Sequence, residues 1–137
     1  MQLQIVNEIL SKGSKAQVRG LFAFTQDSTI EQVVDKFNIW ARYFFVKYFS
    51  SSDAPFHQEM DIHNASIYLG ASQSFLNIAY RGASKTTRTK LFLAFCVIND
   101  ESHFRKYIKI LSRDTKNSTQ FSTDIYNMLV QPRVAAL

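Results

Sequence analysis

Apolar side chains recur at helical spacing through residues 30–49: Ile30, Val33, Val34, Phe37, Ala41, Phe44, Phe45 and Tyr48. Glu31, Asp35, Lys36 and Arg42 fall mainly elsewhere on the wheel, so the spacing predicts an amphipathic helix with one stripe to bury. Ser28-x-x-Glu31 ahead of it has the form of a capping box, in which two side chains satisfy backbone amides of the first turn. Residues 1–27 show little period, and a short initial helix followed by a loop is expected there. "SSSDAP" at 50–55 interrupts the pattern with serine and proline, and a boundary placed there divides a helical segment 1–50 from a second segment 51–137. "FHQEMDIHNASIYLG" then predicts a helix over 56–70, closed by Gly70.

From residue 74 the pattern changes. "SFLNIAY" (74–80) predicts a strand, and "KTTRTKLFLAFCVIND" (85–100) a helix with a polar first turn and an apolar body. "YIKILS" (107–112) predicts a second strand with Ile108 and Ile110 on one face. "STQFSTDIYNMLV" (118–130) predicts a last helix with Phe121, Ile125, Met128 and Leu129 on one side. Strand, helix, strand, helix at these lengths implies an α/β fold built on a parallel sheet.

Composition adds a core and a compartment. The chain is 46% hydrophobic with 12 Phe and 6 Tyr, enough to pack a core and contrary to disorder. Its one cysteine, Cys96, lies within "LFLAFCVI" and reads as a small buried hydrophobe, suited to a reducing cytoplasm. The longest apolar run, 91–98, is eight residues, far short of a bilayer span. The net charge of +5 is unevenly spread: residues 1–80 hold six Lys/Arg against seven Asp/Glu, and residues 81–116 hold nine against three. The excess in "RGASKTTRTK" and "HFRKYIKILSRDTK" points to a polyanion, either nucleotide phosphates or a nucleic-acid backbone, with a solvated basic face as the plain alternative.

The chemistry centres on "AYRGASKTT" at 79–87. A phosphate-binding loop runs from a strand through a tight turn into a helix N-terminus, where amides and the helix dipole face the anion, a lysine reaches the outer phosphates and a Ser/Thr ligates magnesium. Lys85 and Thr86 fit those roles, but Ala79 and Ser84 occupy the two glycine positions of the G-x-x-x-x-G-K-[ST] consensus, leaving Gly82. Arg81 and Arg88 also read as solvated turn charges, Gln58 as a helix surface residue and His103 as a loop residue. His57 and His63 lack the supporting ligands of a metal site.

In motif order, "APFHQEMD", "SFLNIAYRGASKTTRTKLFLAFCVIND", "YIKILSRD" and "TDIYNML" resemble the start of the ATPase core of phage terminase large subunits, over about residues 50–137. Those motors carry a deviant loop, R-x-x-x-K-[ST], which Arg81 to Thr86 matches. The resemblance implies an ATP site built from Gln58, Arg81, Gly82, Ala83, Ser84, Lys85, Thr86 and Thr87. Within it Lys85 would hold the β/γ-phosphates, Arg81 would act toward the γ-phosphate, Thr86 would bind Mg2+, and Gln58 would read adenine. It further implies double-stranded DNA, a portal protein and a terminase small subunit as partners, a homo-oligomer, no membrane, and the host cytoplasm.

An apolar strand ending in Asp-Glu, needed for magnesium and the attacking water, does not occur; the one adjacent acidic pair, Asp100-Glu101, follows the 85–100 helix. An acidic two-metal nuclease cluster is likewise absent from the sequence. The expectation is therefore an N-terminal part of the motor, inactive and loosely packed by itself. The alternative is a non-catalytic nucleic-acid-binding or assembly module using the basic 81–116 region, favoured if those charges form an exposed stripe with interleaved aromatics.

Overall fold

The computed structural model describes residues 3–49, 52–71 and 85–137, with Lys85 by its backbone. Among them the chain forms helices α1 (Leu3–Lys12), α2 (Lys15–Phe22), α3 (Ile30–Phe44), α4 (Pro55–Tyr68), α5 (Lys85–Asn99), α6 (Thr115–Leu129) and the single turn α7 (Pro132–Ala135). A 3-10 turn, Val46–Phe49, follows α3.

This corrects the expected α/β fold with a parallel sheet: the described residues hold no strand. Residues 107–112, expected as a strand, run without regular structure, and Tyr107 and Leu111 are 92% and 90% exposed. The other expected strand, 74–80, lies outside the described residues. The one β-type pairing is an isolated parallel bridge, in which Phe24 N–H donates to Asn99 C=O at 3.0 Å and Glu101 N–H donates to Phe24 C=O at 2.9 Å.

Local rules explain the helix ends. α3 starts at Ile30 as the stripe implied, but its cap is Thr29 and not Ser28, and it ends at Phe44, short of the expected 49, with residues 46–49 in the 3-10 turn. Gln32 N–H donates to Thr29 Oγ1 at 3.2 Å and Thr29 N–H donates to Gln32 Oε1 at 3.0 Å. Ser28 Oγ instead accepts from Thr25 N–H within the preceding turn. The same reciprocal box recurs at α2 between Ser14 and Gln17, in a region expected to be loop. α4 opens with Pro55 in its first turn and closes on Gly70 at φ +82°, with Ala71 N–H bonded to Ser66 C=O and Gly70 N–H to Ile67 C=O, a Schellman end as the glycine predicts.

The stripes of α3 and α5 meet in one core. Val33, Phe37, Trp40 and Ala41 of α3 and Leu91, Ala94 and Phe95 of α5 are almost fully buried. Phe95 is its hub: Phe24 stacks on it at 5.2 Å, and Phe37 and Trp40 both lie 5.7 Å away. Each such side chain contributes roughly 1.5–3 kcal/mol by leaving water. α5 packs on α3, α4 and α6, so Leu91, Phe92, Ala94, Phe95 and Cys96 are buried, Leu93 is half-buried, and its exposed apolar side chains are Val97 and Ile98.

Candidate functional site

The first turn of α5 carries the polar end of the "RGASKTT" motif. Lys85 opens a 15-residue helix, Thr86 is exposed, Thr87 is half-buried, and the turn holds no acidic residue. The positive end of the helix dipole therefore lies beside two hydroxyls, a setting that favours an anion. Arg81, Gly82, Ala83 and Ser84 lie outside the described residues. Of the strand–turn–helix arrangement that the motif calls for, the structure describes the helix alone.

One turn further along, Arg88 departs from its reading as a solvated charge. Its side chain is 4% exposed and forks onto two carboxylates. Nε and Nη2 donate to Asp61 at 3.1 and 2.7 Å, and Nη1 and Nη2 donate to Asp53 at 3.0 and 3.2 Å. Arg42 adds a 2.6 Å bond to Asp53, Asn38 Nδ2 lies 3.5 Å from Asp61, and both guanidiniums sit over the Phe49 ring. Burial works against the charge of Asp53, yet the Arg88 bonds and charge, with Arg42 and His57, hold its carboxyl below the usual range. Burial likewise opposes the Arg88 charge, and Asp61 and Asp53 outweigh it, raising its already high pKa. This cluster clamps the start of α5 to α4 and to the 52–55 link. Sequence reasoning missed it, although Arg88 falls on the same helix face as Leu91, Phe92 and Phe95, and a cation there calls for buried acids.

The other expected site residues are dispersed. Gln58 is exposed on α4 and lines a cleft of about 370 Å³ with Asp35, Asp53 and Asp61, a carboxylate-rich wall. Thr86 borders a groove of about 460 Å³ between α5, residues 109–112 and α6. Thr87 lines a third cleft of about 280 Å³ with Lys90, Tyr48 and Gln131. Gln58 is thus not brought into a shared cleft with Thr86 or Thr87. His57 Nδ1 accepts from Ala54 N–H at 2.9 Å, and so serves the start of α4. His103 sits in the loop after α5 with φ 47°.

Two buried groups nearby serve the fold. Asp100 accepts from the Tyr68 hydroxyl at 2.7 Å and from Ser102 N–H at 3.0 Å, tying α4 to the end of α5. Burial, then that bond, pushes the Tyr68 pKa well up. Burial also raises the Cys96 thiol.

The basic excess divides in two. Arg88 is neutralised as described, and Lys90 bonds Asp124 at 2.5 Å while lying over the Phe121 ring. Lys106, Lys109 and Arg113 are exposed along the irregular 103–112 run and its exit, beside Tyr107. Arg105 leans back on Tyr68 C=O and the Phe104 ring but stays exposed.

The described donors fit a phosphate better than a bare metal. Mg2+ is usually held by one or two carboxylates together with phosphate oxygens. Here Asp53 and Asp61 are spent on Arg88 and Asp124 on Lys90, and the first turn of α5 offers the hydroxyl of Thr86 with no carboxylate of its own. Among the described residues no group of three or more His, Cys, Asp or Glu is placed to hold a metal ion. No described helix is long and apolar enough to cross a membrane. A scan of protein-family models and searches of curated proteins and of solved structures find no match to this chain.

Proposed function

We propose that this chain is the nucleotide-binding part of a DNA-packaging ATPase of the terminase large-subunit type. The observation that carries the reading is the start of α5 at Lys85, so that the lysine and threonines of "RGASKTT" fall on a helix N-terminus free of acidic residues. In this reading Lys85 and the first-turn amides take the β/γ-phosphates of ATP, and Arg81 acts toward the γ-phosphate. Thr86 assists Mg2+, which when bound neutralises charge developing on the phosphates. The Arg88 clamp keeps the helix start fixed, which is what positioning chemistry demands. Double-stranded DNA, a portal protein and a small terminase subunit remain the expected partners, in the host cytoplasm. Lys85→Ala should weaken ATP binding at least about tenfold, the effect of one charge-assisted contact. Titration with a fluorescent ATP analogue measures this, and unchanged affinity would remove the assignment of 81–87.

A second reading, a non-catalytic nucleic-acid-binding module, is favoured by one observation: Lys106, Lys109 and Arg113 are exposed alongside a 92% exposed Tyr107. If it holds, Tyr107→Ala and Lys109→Ala each weaken oligonucleotide binding with Lys85→Ala neutral, and Lys109→Ala lowers the salt slope by about one.

A further inference from the structure

The run between α5 and α6 is held at both ends and bare in the middle. At its start the Phe104 ring packs edge-on against Tyr68 of α4 at 5.2 Å, and Arg105 Nε donates to Tyr68 C=O at 3.0 Å. At its exit Asp114 caps α6, accepting from Asn117 N–H at 2.8 Å, and Ser112 Oγ donates to Asp114 C=O at 2.5 Å. Ile110 is half-buried along the groove of about 460 Å³ that Leu93 of α5 and Phe121 of α6 also line. Between these anchors Tyr107 and Leu111 are 92% and 90% exposed. Anchors on both sides limit where these side chains stand, unlike those of a frayed terminus. Large apolar side chains left this open in one place mark a contact surface.

The charge of the run says what covers it. Lys106, Lys109, Arg113 and Lys116 are exposed, and no Asp or Glu occurs from 102 to 113. The nearest acid on the exit side, Asp114, is engaged with the first turn of α6. Cations interleaved with an open ring match an anionic backbone that carries flat bases. A duplex meets such a surface with its phosphates, because its bases are stacked on one another. An unpaired strand offers phosphates and base faces together. The neighbouring rings are already covered: Arg105 lies over Phe104 at 4.9 Å and Lys90 over Phe121 at 5.0 Å. Tyr107 is the open ring of 104–113.

We infer that residues 105–113 form a platform for single-stranded nucleic acid. Tyr107 stacks on an unpaired base, Leu111 packs against a neighbouring nucleotide, and Lys106, Lys109 and Arg113 hold the phosphates. The inference rests on the nucleic-acid surface of the second reading above and deepens it by naming the strand state; it uses no residue of the nucleotide site. Stacking and phosphate contacts carry little base identity, so binding is tolerant of sequence.

The test follows the fluorescence anisotropy of labelled oligothymidylate, oligouridylate and a DNA duplex, each of ~20 nucleotides or base pairs, with the full chain at low salt. One or both single strands should bind about tenfold or more tightly than the duplex, and the comparison between them separates DNA from RNA. Tyr107→Ala, at a position too exposed to endanger folding, should weaken the single strands at least about fivefold and leave the duplex unchanged, whereas Tyr107→Phe should bind as the wild type does. Duplex binding as tight as that of both single strands, or a Tyr107→Ala variant that binds the single strands as before, overturns the single-strand platform and leaves the phosphate contacts of the second reading to stand on Lys109→Ala. Failure of all three probes to bind overturns both, and self-association that Leu111→Lys removes would then mark the run as a protein contact.

Discussion

Arg88 is the residue on which most of the local electrostatics turns. Replacing it with leucine leaves Asp61, 1% exposed, without its cation, a loss of about 3–5 kcal/mol for one half of a buried pair. The double variant Arg88→Leu/Asp61→Leu should recover most of that, since an apolar pair of similar volume is often tolerated. Urea unfolding of the three proteins checks the order. Arg88→Lys should fall between, because an ammonium cannot reproduce the fork onto two carboxylates. The pH dependence has a definite sign. Asp53 is lowered from an ordinary 3.8 in the folded chain, so its contribution is complete above that value and drains as pH falls through the lower folded one. Stability measured from pH 6 downward should therefore decline below about pH 4, with a shallower acid limb in the Arg88→Leu variant. Tyr68 works at the other end: its raised pKa means the fold favours the neutral phenol, so stability is lost as pH rises past about 10, and Tyr68→Phe should resist that loss.

The helix caps make separable predictions. Thr29→Ala should cost about 1 kcal/mol by removing the acceptor for Gln32 N–H, and Gln32→Ala should cost part of the same box. Glu31→Ala should have almost no effect, and Ser28→Ala should lose only the turn bond from Thr25 N–H. Thermal unfolding of the four variants decides between the two registers. The pattern of i, i+3 and i+4 spacing could not, because Ser28/Glu31 and Thr29/Gln32 both have the S/T-x-x-E/Q form and differ by one residue.

For the molecule as a whole, the looseness expected of an open-edged sheet loses its basis. α5 is covered by α3, α4 and α6, and the buried cluster runs from Val6 of α1 to Val134 of α7. Urea should produce one cooperative transition with a slope near 1–3 kcal/mol per molar, as small domains give. Cys96 reports on the same event: it is buried and its thiol is held protonated, so labelling by a thiol reagent should track unfolding of α5 and not precede it. Fast labelling of the native chain would contradict the packing of α5. The exposed Tyr107 and Leu111 should make association concentration-dependent, visible by light scattering and reduced by Leu111→Lys.

Much of the helical content was legible from period and punctuation alone. The stripes through Val33, Phe37 and Ala41 and through Phe121, Ile125, Met128 and Leu129, and the Gly70 stop, depend on contacts within one or two turns, which are local in sequence. α2 was missed because eight residues carry too short a stripe to register, although its Ser14/Gln17 box was readable. Strand or helix could not be decided in the same way for 107–112: "YIKILS" alternates as a strand does, but a strand needs a neighbour, and the structure supplies none among the described residues. The Lys85–Thr87 part of the candidate site was likewise local, a lysine and two threonines opening an apolar helix. What only the tertiary structure decided is which charges are free. Arg88, Asp53 and Asp61 come from three separate stretches, and nothing in the spacing of residues 53, 61 and 88 announces that they meet. The same holds for Gln131 and Thr87, which share one cleft because α5 and α6 pack together. Sequence determines the donors, acceptors and stripes a chain carries; the burial that pairs Arg88 with Asp53 and Asp61 and sets their charge is a property of packing between distant segments.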